Sequence, residues 1–256
     1  MFDELNIPKI IHLTYKDYNI PDVWKTTIQV WKKKHPDWEV RFWTDEDNRK
    51  LIQTKYPEFL EIYDSYKYGI QRADAIRYYI LYTYGGLYSD MDIQPVKNFN
   101  KIFYKTKNKD VYLIRSPHLK YITNAFMASR PNSDFWLHVV KELKESIKNP
   151  SVFWVGKHLN VMNTTGPLML SRAYDSYKSK RRICFMPQEF MFPSKCNACT
   201  AKPCKTRASY TKILEGSSWC TLDSRIYIHF LCKHKVYFAI FIATILIICR
   251  CLILFK

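Results

Sequence analysis

Two carboxylates, Asp90 and Asp92, stand one residue apart at the end of the stretch QRADAIRYYILYTYGGLYSDMD, Gln71 to Asp92. A third, Asp74, stands three residues before Arg77 in the same stretch. Side chains at i and i+2 of extended chain point the same way, so Asp90 and Asp92 can converge on one cation. Hard oxygen ligands at a strand end suit Mg²⁺ or Mn²⁺. Asp74 and Arg77 share one helix face, where the guanidinium can support the carboxylate. An Asp-x-Asp triplet by itself is more often a solvated turn, so the elements around it decide the reading.

Those elements are specific. Ala73, Ile76, Tyr79 and Ile80 recur at helical spacing, and neither Gly nor Pro interrupts the run before Gly85. Gly85-Gly86 ends the helix, because glycine reaches backbone angles that other residues avoid. Leu87-Tyr88-Ser89 reads as a short strand that delivers the two aspartates.

Upstream, Ile7-Pro8-Lys9-Ile10-Ile11-His12-Leu13 reads as a buried strand. Pro21 to Lys34 reads as a helix, with Val23, Trp24, Ile28 and Trp31 as its apolar stripe. Trp38 to Trp43 alternates as a second strand, and Thr44 caps an acidic first turn of a helix reaching about Lys55. Glu58 to Tyr66 is a short helix. Downstream, Val111–Ile114 and Thr123–Ser129 read as strands, Phe135–Lys148 as an amphipathic helix, and Thr165-Gly166-Pro167 as a helix start.

A chain of 256 residues suits one domain with a sizeable core. Its formal charge of +17 reads first as a Lys-rich solvated surface and second as attraction to anions such as nucleotide-sugar phosphates or phospholipid headgroups. The basic residues are scattered and no nucleic-acid motif is present, so nucleic acid is not an expected partner.

The match R-A-D-x-x-R-Y-x-x-L-Y-x-x-G-G-x-Y-x-D-x-D runs through Arg72, Ala73, Asp74, Arg77, Tyr78, Leu81, Tyr82, Gly85, Gly86, Tyr88, Asp90 and Asp92. In it the chain resembles the DXD-containing glycosyltransferases that include yeast initiating α-1,6-mannosyltransferases and inositol-phosphoceramide mannosyltransferases. The glucosylating clostridial toxins share that core. The likeness covers roughly Ile7 to Trp219, including Trp38–Asp45, Asn124 and the T-G-P at 165–167. Ser133-Asp134 replace a usual His-Pro, and Lys212–Glu215 stand where many relatives have a histidine.

This resemblance implies an α/β GT-A (Rossmann-like) nucleotide-sugar domain with a mostly parallel sheet. It places His12 and Leu13 in the wall against the nucleotide, and Arg72, Asp74, Arg77, Asn124 and Trp219 on the donor sugar or diphosphate. Asp90, Asp92 and Ser217 would hold Mn²⁺ or Mg²⁺. It implies retaining transfer of a hexose from a nucleotide sugar, GDP-mannose first and a UDP-hexose second, to a lipid or glycan acceptor. No enzyme nucleophile is assigned. The rival readings are a catalytically inactive membrane protein that keeps the fold for binding, and a basic nucleic-acid-binding protein.

Two further features stand apart from the motif. Cys196, Cys199 and Cys204, with Cys184 nearby, mark a Cys-rich insert at about 184–204 whose cysteines could pair as disulfides, bind zinc or stay free. Val236 to Phe255 is apolar but for Thr244 and Arg250, and its 20 residues match a bilayer core. The expected organisation is a GT-A domain over 1–235 and a single transmembrane anchor over 236–255, on a Golgi- or ER-type membrane. Met1 to Ile20 lacks the apolar core of a signal peptide.

Overall fold

The structure is a computed structural model. It describes residues 5, 7–106, 108–116, 121–148, 156–188, 191, 209–214, 220–227, 229 and 237. The chain alternates strands and helices: β1 (Ile10–Thr14), α1 (Thr27–Lys34), β2 (Glu39–Trp43), α2 (Asp45–Lys55), α3 (Pro57–Ser65), α4 (Gly69–Tyr84) and β3 (Gly86–Ser89). It continues through β4 (Ile93–Pro95), α5 (Asn100–Lys105), β5 (Val111–Arg115), β6 (Ile122–Ser129), α6 (Asp134–Ile147), α7 (Gly156–Thr164), α8 (Pro167–Ser176), β7 (Ile183–Phe185) and β8 (Thr211–Ile213).

The main sheet has the order β2-β1-β3-β6-β5-β7. β1 runs parallel to β2 and β3, and β5 parallel to β7, but β6 is antiparallel to both of its neighbours. The sheet is therefore mixed, with β6 as its one reversed strand. β4 and β8 form a separate antiparallel pair.

Successive strand residues face opposite sides of a sheet. Accordingly Tyr88, Val111, Leu113, Ile122 and Met127 pack on one face against α4, α6 and α8. Ile11, Leu13, Leu87, Tyr112, Ile114 and Phe126 pack on the other with Trp24 and Trp31. α4 sits under so much of this that nine of its residues, Asp74 and Arg77 included, are buried. Thr44 and Asp47 form a reciprocal capping box at the start of α2.

The first helix is shorter than its sequence pattern. The Pro21 carbonyl is taken by turn bonds from the Trp24 and Lys25 amides, and α1 begins only at Thr27. Val23 is exposed and has no part in the core. Among the described residues no helix is long and apolar enough to cross a membrane. The run 236–255 lies outside them except for Tyr237, as do Cys196, Cys199 and Cys204. Cys184, in β7, and Cys220 carry free thiols.

Candidate active site

The break between α4 and β3 fixes where the aspartates go. Gly85 and Gly86 have φ of 63° and 86°. A Cβ on Gly86 would stand 2.4 Å from the Ile10 carbonyl oxygen, so β3 can lie beside β1 only without a side chain there. Gly86→Ala is expected to lower stability by about 1–3 kcal/mol from the backbone conformation alone, with the clash added, read as a lower urea midpoint.

After β3 the chain turns. The Ile93 amide donates to the Asp90 carbonyl, and the Asp90 amide donates to Ala125 on β6. The aspartates thus sit in a turn, not on the extended chain that their spacing suggests: β3 pairs with β6 only as far as Ser89, and beyond it the Asp90 amide alone still reaches Ala125.

Arg77 links the turn to the helix. It stands 3.0 Å from Asp74 and 3.1 Å from Asp90, and donates to the Asn124 carbonyl at 2.8 Å. Its guanidinium lies 4.7 Å from the centre of the Tyr88 ring. The Tyr88 hydroxyl donates to Asp90 at 2.9 Å and also meets Thr14. Asp74 in turn accepts from the Asn124 amide at 2.9 Å and the Thr165 hydroxyl at 3.2 Å. The Thr165 carbonyl accepts from Tyr78, which also receives an Asn124 N–H. The T-G-P segment therefore packs on the helix face carrying Asp74.

A cleft of about 630 Å³ opens over this network. Thr14, Tyr15, Lys16, Trp24, Arg77, Tyr88, Asp90, Met91 and Asp92 line it, with Asp45, Lys67, Tyr68 and Lys157. Burial raises the Asp90 carboxyl, although Arg77 and Tyr88 pull it down. Burial and the neighbouring Asp90 charge push Asp92 up to about 7. Burial likewise lifts Asp74 to about 6 against the pull of Arg77.

Several expected contacts are placed elsewhere. His12 and Leu13 are wholly buried and do not line the cleft; the wall is built by the next residues, Thr14 to Lys16. The His12 Nε2–H donates to the Gly85 carbonyl, and its Nδ1 accepts from the Trp43 indole. His12 thus braces the helix end, and burial drives its pKa down to about 3. Asp74 and Asn124 turn inward and satisfy one another, so they position Arg77 and are not presented to the cleft. Arg72 does not line the cleft and donates to the Tyr66 carbonyl. Ser217 and Trp219 lie outside the described residues. Tyr88 was legible as a motif position, but its bond to Asp90 was not.

Residues 21–109 match the family model described as a glycosyltransferase sugar-binding region containing a DXD motif. The chain carries a DXD glycosyltransferase region. It is 35% identical over 229 residues to mannosyl phosphorylinositol ceramide synthase SUR1 of Saccharomyces cerevisiae, covering 86% of this chain and 53% of that protein. To inositol phosphoceramide mannosyltransferase 2 of Schizosaccharomyces pombe it is 34% identical over 221 residues, covering 86% and 60%. To the uncharacterized glycosyltransferase L373 of Acanthamoeba polyphaga mimivirus it is 27% identical, covering 83% and 84%. The chain thus spans little more than half the length of the two yeast proteins. The solved PaToxG glycosyltransferase has the same α/β fold, with a TM-score of 0.51 at 17% identity over 65% of this chain and 68% of that one. In the DXD region the model match ends before β5, so Asn124 and the T-G-P segment join the site through the fold.

Proposed function

We propose that this chain transfers a hexose, mannose from GDP-mannose before a UDP-hexose, from a nucleotide sugar to a glycolipid or glycan acceptor at a Golgi- or ER-type membrane. The observation that carries the reading is the pair Asp90 and Asp92 beside Arg77 in one cleft. The names of the yeast relatives favour mannose and an inositol-containing sphingolipid.

The donor set suits a divalent cation that keeps other oxygen ligands. Among the described residues no third His, Cys, Asp or Glu joins the two aspartates. Arg77 and Tyr88 engage one Asp90 oxygen, Oδ1, and both carboxyls are raised, which a cation would relieve. Mn²⁺ or Mg²⁺ held by Asp90 and Asp92 would supply Lewis-acid stabilisation of the departing diphosphate. Arg77 and Tyr88 hold Asp90 in one rotamer, and Asp74 with Asn124 hold Arg77. No residue in the cleft is assigned as a covalent nucleophile, in keeping with front-face retaining transfer.

Hydrolysis of a panel of nucleotide sugars with Mn²⁺ is the test. Selective turnover of GDP-mannose supports the reading, and no turnover of any donor overturns it. Binding of Mn²⁺ should also depend on pH. A metal requires the ionised carboxylate, and Asp92 in the metal-free protein gains its proton below about pH 7. Affinity is expected to be steady above pH 8 and to fall about tenfold per unit below pH 7, read by calorimetric titration.

A further inference from the structure

We propose that Asp45 reads the base of the nucleotide donor, its carboxylate accepting the N1–H and the N2 amino group of guanine. This rests on the transferase reading above and adds to it the residue that sets the choice of GDP over UDP.

The sheet order lays out the nucleotide. β3, β1 and β2 are neighbours, and β1 runs parallel to both of the others. Their carboxyl ends lead into the cleft through Asp90 and Asp92, through Thr14 to Lys16, and through Asp45. Ligands of open α/β sheets bind outside those ends. Adjacent strands lie about 4.8 Å apart, so the ends of β3 and β2 are separated by roughly 10 Å. With the diphosphate at the aspartates, the ribose passes the end of β1 and the base reaches the end of β2.

Asp45 is fixed there by its backbone. Its amide donates to the Lys16 carbonyl at 3.2 Å, and the Tyr15 amide donates to the Trp43 carbonyl at 3.0 Å. These two bonds stitch the start of α2 to the wall after β1. Tyr15 and Trp24 line the same wall, edge to face with ring centres 5.8 Å apart. An aromatic surface of this kind can take the face of any base, so the choice among bases falls to groups that meet a base edge.

The Asp45 carboxylate is uncommitted. The reciprocal bonds at the start of α2 join Thr44 to Asp47 and leave Asp45 out. Among the described residues no side chain bonds or pairs with it. Arg72 and Lys16 act on it only from a distance, since Arg72 donates to Tyr66 and Lys16 pairs with Asp17 at 3.8 Å. Asp90, by contrast, is held by Arg77 and Tyr88. Partial burial raises the Asp45 carboxyl ahead of the pull of Arg72, and donors from a ligand would offset that cost.

The chemistry of the edge then selects the base. An ionised carboxylate only accepts, through two oxygens side by side. Guanine presents two adjacent donors, the ring N1–H and the exocyclic amine, which match those oxygens as a pair. Uracil presents one N–H between two carbonyls, so the second carboxylate oxygen would face another oxygen. Adenine turns a ring-nitrogen acceptor to the same place. Paired bonds to a charged group are strong and geometrically specific, and a site built for a donor rejects the ligand that lacks it.

GDP and IDP, which differ only in the exocyclic amine, are the probes. Calorimetry on the full chain with Mn²⁺ is expected to show GDP bound at least about tenfold more tightly than IDP. In D45N the carboxamide oxygen can still accept from N1–H, but its own amine opposes the guanine amine. GDP should then weaken at least about tenfold and IDP less than about threefold, so that the preference disappears. D45A, which removes both acceptors, should weaken the two nucleotides and also erase the preference. Asp45 is exposed and takes no part in the cap, so both variants should fold, and thermal unfolding checks this. Equal affinity of the wild type for GDP and IDP overturns the proposal, as does no binding of GDP. A preference that survives in D45N and D45A overturns it too, and so does an equal loss of both nucleotides in D45N, which would place the carboxylate on the ribose or make its role structural. Donor hydrolysis by the wild type is measured separately. Turnover of a UDP-hexose alone would remove guanine and leave the transferase reading standing. A protein that hydrolyses no donor yet reads the guanine amine through Asp45 would retire the transferase reading and leave this proposal standing.

Discussion

Asp92→Asn is expected to abolish transfer while leaving the protein folded. The carboxamide keeps the volume of the side chain but supplies one neutral oxygen where a charged ligand stood. Asp92 lies in the cleft rather than the core, and its carboxyl is already raised by burial and by Asp90, so removing its charge relieves repulsion in the metal-free protein. The unfolding midpoint should hold or rise. Activity should fall by about 10²-fold or more, the scale on which single groups that stabilise transition-state charge act. Steady-state transfer at saturating Mn²⁺, paired with urea unfolding, reads both. A variant that keeps wild-type turnover would remove the DXD aspartates from the mechanism.

Arg77→Ala is expected to act on the fold itself. The guanidinium side chain is 3% exposed and meets two carboxylates, the carbonyls of Ala73 and Asn124, and a ring. Removing one partner from a buried ion pair costs about 3–5 kcal/mol, because a charge is left unpaired. Here two are left, although Asp90 keeps access to the cleft and Asp74, whose carboxyl burial already raises against the pull of Arg77, takes a proton more readily once that pull is gone. The loss is still a large share of the roughly 5–15 kcal/mol that stabilises a typical domain. Arg77→Lys should recover part of the stability and little of the activity, since an ammonium cannot reach Asp74, Asp90 and Asn124 in the fork geometry of arginine. Equilibrium unfolding of the two variants separates these outcomes. Wild-type stability in Arg77→Ala would show that the network is not a structural keystone.

Features specified over a few residues were legible in the sequence, and features that depend on distant segments were not. α4, the glycine break and β3 were legible because helical spacing and glycine conformation are local. Thr44 and its acidic turn predicted a cap for the same reason. The inward turn of Asp74 was not legible. It depends on Asn124 and Thr165, which arrive from β6 and the start of α8. The burial of His12 depends on Trp43, from β2, and on Gly85, from the end of α4. The family pattern named these residues, but which of them face the cleft is decided by register and by the reversed strand β6. Lys157 carried no local signal, since Tyr68, whose ring its ammonium lies over, is some 90 positions away in the chain.

The aspartate turn has one further consequence. Its backbone is pinned on three sides: the Asp90 amide to Ala125, the Ile93 amide to Asp90, and the Leu214 amide to the Asp92 carbonyl at 2.7 Å. A clasp anchored in this way cannot widen without giving up one of those bonds. Ca²⁺ asks for six to eight oxygens at about 2.3–2.6 Å, whereas Mg²⁺ sits at about 2.0–2.1 Å with water completing its octahedron. If Asp90 and Asp92 hold a cation as proposed, stiffness of the main chain, rather than the number of carboxylates, would favour the small cations over the large one.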